Sequence, residues 1–145
     1  MSILSREKIR IHVQVNNKAE AIRLAGQLLV DNGHVPASYI DYMLKRDEEL
    51  STYMGAGLAI PHGTNEAKKL INSTGLAVLV VPDGVEFGGG EIARLIVGIA
   101  AIGDDHMDLL TSIAMIVSDD ATMDRILKAT SEDEILEIFL EGVEQ

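Results

Sequence analysis

The groups in this sequence best suited to chemistry are an imidazole at the end of an apolar run, "GAGLAIPHGT" (Gly55 to Thr64), and the few side chains able to serve it. Pro61 fixes its own φ and has no amide to donate, so a strand reaching this point stops and leaves His62 at its end. Gly63 removes a side chain where a reactant has to approach, and the amides of Gly63 and Thr64 follow directly. An imidazole that acts as nucleophile or ligand has to be neutral, with its second nitrogen held by a partner that selects the tautomer. If the electrophile is phosphorus, positioning and charge neutralisation do most of the work, so cations and hydrogen-bond donors have to surround the transferred oxygens. Arg46 supplies a cation, Thr64 a hydroxyl, and His106 a second imidazole just inside a helix that Asp104 is expected to cap, a place that favours anions.

Taken singly, each of these residues also has a plainer reading. Pro-His-Gly is short enough to be a structural turn. Arg46 lies in "KRDEE", a mixed-charge stretch that suits a solvated helix end. His106 heads an apolar helical face and suits a partly buried structural histidine. His12 and His34 have no sequence company that suggests a role, and Asp47 is given none. Met43, Met54, Met107, Met115 and Met123 read as core filler. Gly88 to Gly90 lack the Lys-Ser/Thr of a phosphate loop and read as a flexible turn.

The elements that must position these groups follow from periodicity. "KIRIHVQV" alternates apolar and polar residues and predicts an edge or half-buried strand. Asn17 is an N-cap with Glu20 three positions on, opening a helix that buries Ala21, Ile22, Ala25, Leu28 and Leu29 and stops near Gly33. A second helix after Pro36 buries Ile40, Met43 and Leu44 and ends in "KRDEEL". "TGLAVLVVP" and "ARLIVGIAAIG" are continuous rather than alternating apolar runs, which predicts central strands covered on both faces, with "DGVEFGGG" as the loop between them. From Asp104 the chain reads as helical, His106, Leu109, Leu110, Ile113 and Val117 sharing one face, and the last helix opens on a capping box at Ser131 to Glu134. The fold class is α/β, a mixed sheet with helices packed on both faces in a three-layer sandwich, and residues 1–145 read as one domain.

Composition narrows the function. The 145 residues carry a formal net charge of -11 and no cysteine, which excludes a disulfide scaffold and thiolate zinc sites and argues against nucleic acid or anionic membrane as partner. Between Asp119 and Gln145 nine acids face two bases, a solvated face of the terminal helices. No apolar run approaches the ~20 residues of a bilayer span, and no secretory leader is legible, so a cytoplasmic chain without membrane insertion is expected.

"KRDEELSTYMGAGLAIPHGT" resembles the phosphorylation-site segment of enzyme IIA components of the bacterial phosphoenolpyruvate-dependent sugar phosphotransferase system, in the mannitol/fructose class. The matching features are Arg46-Asp47, then "TYMG" (Thr52 to Gly55), then "AIPHGT" (Ala59 to Thr64). "IVGIAAIGDDHMDLL" is similar to the family's second histidine segment, with His106 at the histidine, and "FGGGEIARLIVGIAA" is similar to the mannitol-type stretch before it. The likeness runs in order from about Ala19 through the last helix. Asp47 stands where relatives commonly have glutamate.

That resemblance implies a phosphohistidine relay. His62 is then the phosphoacceptor, charged by the carrier protein HPr and discharged to a sugar-specific IIB domain, with mannitol the expected sugar. His106 is expected beside it, Arg46 on phosphate oxygens, and Thr64 and Gly63 as further phosphate contacts. Neither metal nor organic cofactor is implied. The small residues Gly55, Ala56, Gly57, Ala59 and Gly63 predict a shallow apolar depression around His62, open to two proteins in turn. The competing expectation is a regulatory IIA-like domain, nitrogen-related or within transcription control, in which the same phosphorylation switches a protein interaction. A phosphatase is disfavoured, because Pro61 stands where a histidine phosphatase has an arginine beside its histidine and no "GxSxG" is present.

Overall fold

A computed structural model describes residues 3–143. Five strands form one mixed sheet: β1 (Ile9–Arg10), β2 (Tyr53–Gly55), β3 (Leu58–Ala59), β4 (Gly75–Glu86) and β5 (Ile92–Ala100), in the order β1-β4-β5-β3-β2. The long central pair β4–β5 is antiparallel, whereas β1 joins β4 and β3 joins β5 in parallel. Five helices cover it: α1 (Lys18–Asp31), α2 (Tyr39–Glu49), α3 (Asp105–Val117), α4 (Asp120–Lys128) and α5 (Glu132–Val143).

The two continuous apolar runs lie in the centre of the sheet because both faces are buried. Along β4, Leu76, Val78 and Val80 pack with α3, α4 and α5, while Ala77, Leu79 and Val81 pack with α1 and α2. β5 divides in the same way, and its Gly98 marks the point where α1 comes closest: a Cβ there would lie 3.0 Å from that of Ala25. The sandwich expected from the sequence is the one observed.

Both capping boxes form. Asn17 Oδ1 accepts from the Glu20 amide at 2.9 Å while Glu20 reaches back to the Asn16 amide, and Ser131 Oγ accepts from the Glu134 amide. Other expectations are corrected. The alternating run 8–15 is regular strand at Ile9–Arg10, because His12 adopts φ +54° and interrupts the extended backbone before the Val13 amide returns to the Val80 carbonyl at 3.0 Å. "DGVE" belongs to β4 rather than to a loop: Val85 is buried on the sheet, and the turn is confined to Phe87–Glu91, where three successive glycines take positive φ. Asp104 makes no side-chain cap bond, and α4 forms a separate helix capped by Asp119, whose Oδ1 accepts from Ala121. Met54, Met107 and Met115 are exposed rather than core.

His34 has company after all. It is fully buried, with Lys8 Nζ 2.6 Å from its Nε2 and Ser73 Oγ 2.8 Å from its Nδ1. Lys8 also donates to the Ile3 carbonyl, and burial pushes its ammonium down to about 8. The cluster ties the segment before β1 to the α1–α2 connection.

Candidate functional site

β3 ends at Ala59, and the chain continues beside β5 just far enough for His62 to form one parallel bridge with Ile99, the Ile99 amide donating to the Pro61 carbonyl at 2.9 Å. The imidazole is half-buried, and its Nδ1 lies 2.8 Å from the Ile60 carbonyl. A carbonyl can only accept, so Nδ1 carries the proton and the lone pair belongs to Nε2. No partner occupies Nε2 among the described residues. Burial, with the Arg46 and Lys68 charges, outweighs the Ile60 bond and the Asp47 charge and holds the imidazole below its ordinary range, so it is neutral at pH 7.

His106 lies in the first turn of α3 with its ring centroid 5.0 Å from that of His62, the planes inclined at 62°. Burial, then the neighbouring His62, Lys68 and Arg46, lower its basicity as well. Arg46 sits in the last turn of α2, where its guanidinium donates to the Leu50 carbonyl at 2.7 Å. That bond satisfies a helix-end carbonyl and uses one of the guanidinium's five donors. All three line one concavity of about 180 Å³, together with Tyr39, Glu49, Gly63, Thr64, Asn65 and Lys68.

Thr64 is the most informative wall of this concavity. It is 8% exposed, and its Oγ1 has no hydrogen-bond partner. A buried hydroxyl left unpaired costs about 1–3 kcal/mol, so the site holds a donor in reserve. Gly63 contributes differently. Its amide already donates to Tyr39 Oη at 2.9 Å, and a Cβ on residue 63 would lie 2.7 Å from the Tyr39 ring. Its lack of a side chain is therefore required for packing the His62 turn on α2.

The residues that hold this geometry carry no motif of their own in the sequence. Tyr39 Oη accepts from Gly63 and donates to the Ile99 carbonyl at 3.2 Å, clamping the turn to β5. Asp47, given no role, is buried. Burial alone would raise its carboxyl, but Lys18 at 2.8 Å and two bonds from Thr52 hold it below the usual carboxylate range. It anchors the end of α2 that carries Arg46. Lys68 lies one turn after Asn65 on the 3-10 helix Asn65–Leu70, with Ile71 just beyond its end, and all three line the concavity.

The apolar depression expected around His62 is corrected. The concavity is polar and cationic, and Gly55 and Ala56 border a separate apolar hollow with Met54, Leu58, Ile60, Leu110, Ala114 and Val117. Ala59 is wholly buried in the core. No cluster able to hold a metal ion occurs among the described residues. The arrangement can offer a neutral nitrogen nucleophile to an anionic electrophile, with cations and a free hydroxyl around it.

Comparison with known proteins gives a consistent picture. The family model described as phosphoenolpyruvate-dependent sugar phosphotransferase system, EIIA 2, matches residues 2–142. A mannitol-specific phosphotransferase enzyme IIA component of Geobacillus stearothermophilus is 48% identical over 141 residues, 97% of each chain. Among solved structures, the complex of enzyme IIA and phosphorylated enzyme IIB for mannitol from Escherichia coli contains a chain that superposes with a TM-score of 0.90 at 38% identity, covering 95% of this chain and 97% of that one. The crystal structure of IIA mannitol from Escherichia coli gives 0.88 at 40% identity, covering 94% and 98%.

Proposed function

The chain belongs to the EIIA 2 family of the phosphoenolpyruvate-dependent sugar phosphotransferase system, and from that premise we propose that it is a phosphoryl carrier for mannitol uptake. Residues 1–145 form one IIA domain that works in the cytoplasm, taking phosphate from phospho-HPr on His62 and passing it to a IIB domain. The observation that carries this reading is the bond from His62 Nδ1 to the Ile60 carbonyl, which leaves Nε2 as the nucleophile in a cation-lined concavity. The mannitol-specific relatives support transport over the regulatory alternative.

In the acceptance step the Nε2 lone pair forms a bond to phosphorus as the donor's P–N bond breaks, its electron pair returning to the donor imidazole. No proton has to move, because Nδ1 keeps its hydrogen on Ile60. Arg46 has guanidinium donors left for phosphate oxygens, Thr64 brings its unpaired hydroxyl, and His106 packs edge-on to fix the His62 ring plane. Gly63 keeps the turn close to Tyr39. Discharge to IIB is the same displacement in reverse. Exposed Met54 and Met107, on β2 and α3, offer polarizable side chains that can repack against two partners in turn.

The test is incubation with phosphoenolpyruvate, enzyme I and HPr followed by intact mass. Wild type should gain one acid-labile phosphoryl group and His62→Ala none. A wild-type chain that gains nothing, or a His62→Ala chain that still gains the group, overturns the reading.

A further inference from the structure

Two cations and one carboxylate, Arg46, Lys68 and Glu49, line the concavity with two imidazoles that are neutral at pH 7. Without Lys68 the Arg46 and Glu49 charges would cancel, and a dianionic phosphoryl group would enter a site with no net attraction for it. The two cations are also held differently. Arg46 is tethered to the Leu50 carbonyl, and Asp47 next to it is locked by Lys18 and Thr52. Lys68 is exposed, and no ion pair or side-chain hydrogen bond engages its ammonium among the described residues, whereas Lys18, Lys45 and Lys128 are each paired with a carboxylate.

Position along the 3-10 helix separates Lys68 from its neighbour. With three residues per turn, Asn65, Lys68 and Ile71 face the concavity and Lys69 does not. The turn begins immediately after Thr64, whose carbonyl accepts from the Ala67 amide at 3.0 Å, so Lys68 is carried on the same rigid segment as the unpaired Thr64 hydroxyl. Its charge is felt at both imidazoles.

We propose that Lys68 is a further catalytic residue: a mobile ammonium that closes on the phosphoryl oxygens opposite the anchored Arg46 and stays with them during transfer to and from His62. A lysine suits this role as a compact charge on a flexible stem that can follow the group as it moves between proteins. The inference rests on the relay reading above.

The experiment compares Lys68→Met, Lys68→Arg and the charge-matched control Lys69→Met, all exposed positions where folding is checked by thermal unfolding. Quenched-flow transfer from phospho-HPr should slow about tenfold to a hundredfold in Lys68→Met, the range for one lost charge-assisted hydrogen bond. Lys69→Met should stay within about twofold of wild type, as expected when contact rather than distant field is at work, and Lys68→Arg, which keeps the charge, should recover most of the rate. A second arm follows the His62 and His106 ring resonances during titration with inorganic phosphate. Weaker phosphate binding in Lys68→Met alone supports the contact even if the relay reading fails for lack of transfer in wild type. Transfer and phosphate binding equal in Lys68→Met and Lys69→Met, whether both normal or both impaired, overturn it.

Discussion

Replacing Tyr39 by phenylalanine removes one oxygen and tests whether α2 sets the position of the nucleophile. The hydroxyl is buried, the residue being 2% exposed, and it makes two bonds, 2.9 Å from the Gly63 amide and 3.2 Å to the Ile99 carbonyl. Burial raises its pKa despite the Gly63 bond, so the proton needed for the Ile99 bond is present at neutral pH. The phenyl ring of the variant fills the same space, and no cavity forms. What is lost is pairing: the Ile99 carbonyl lies in the core, whereas the Gly63 amide borders the concavity and can find water. One fully buried and one partly rescued group cost about 1–3 kcal/mol together. For a chain of this length that lowers the melting temperature by about 3–10 °C, well short of unfolding a domain with about 5–15 kcal/mol of stability. Calorimetry reads that change, and quenched-flow transfer from phospho-HPr should slow several-fold as the His62 turn loosens. An unchanged melting temperature refutes the energetic reasoning. Faster transfer would show that Tyr39 withholds the Gly63 amide from the phosphoryl group instead of clamping the turn.

Thr64→Val replaces an unpaired buried hydroxyl by a methyl group, so the unphosphorylated protein should be as stable as wild type or up to about 1 kcal/mol more so, while transfer slows; a loss of stability seen by denaturant titration would mean that the hydroxyl is satisfied in the resting protein. Gly63→Ala forces a Cβ to within 2.7 Å of the Tyr39 ring, and should cost about 1–3 kcal/mol by denaturant titration and most of the transfer rate. His34, His62 and His106 all have folded-state pKa values below the ordinary imidazole value, set first by burial. The unfolded chain therefore binds protons first as pH falls, and stability should be full above about pH 7 and decline from about pH 6.5 downward. NMR midpoints at or above the unperturbed value for all three rings would contradict this.

Much of the site was legible in the chain, for reasons of local chemistry. Pro61 and Gly63 marked His62 as a strand-end imidazole because the constraints they impose belong to the residues themselves. The same holds for the capping boxes at Asn17 and Ser131, which need only a side chain and an amide three positions apart. Similarity of three separated motifs joined Arg46 and His106 to His62, and all three line one concavity. Where local signals misled, a tertiary contact outweighed them. The mixed-charge stretch that suited a solvated helix end hides a buried Asp47, because Lys18 arrives from α1 to pair with it while Thr52, five residues on, donates to it.

By itself the sequence determined the layers: two apolar runs without alternation require a sheet buried on both faces, and the amphipathic helices supply the covers. Its resemblance to the enzyme IIA family singled out His62 as the candidate nucleophile, where Pro-His-Gly alone also suited a structural turn. Which nitrogen of His62 is free shows only in the folded backbone, where the Ile60 carbonyl two residues back meets Nδ1. Tertiary packing alone brought the Tyr39 hydroxyl to Gly63, 24 residues along the chain, and to Ile99, 60 residues along it. Residue spacing carries bonds within a turn or a helix, whereas bonds between elements depend on how the packed sheet and helices bring distant backbone together.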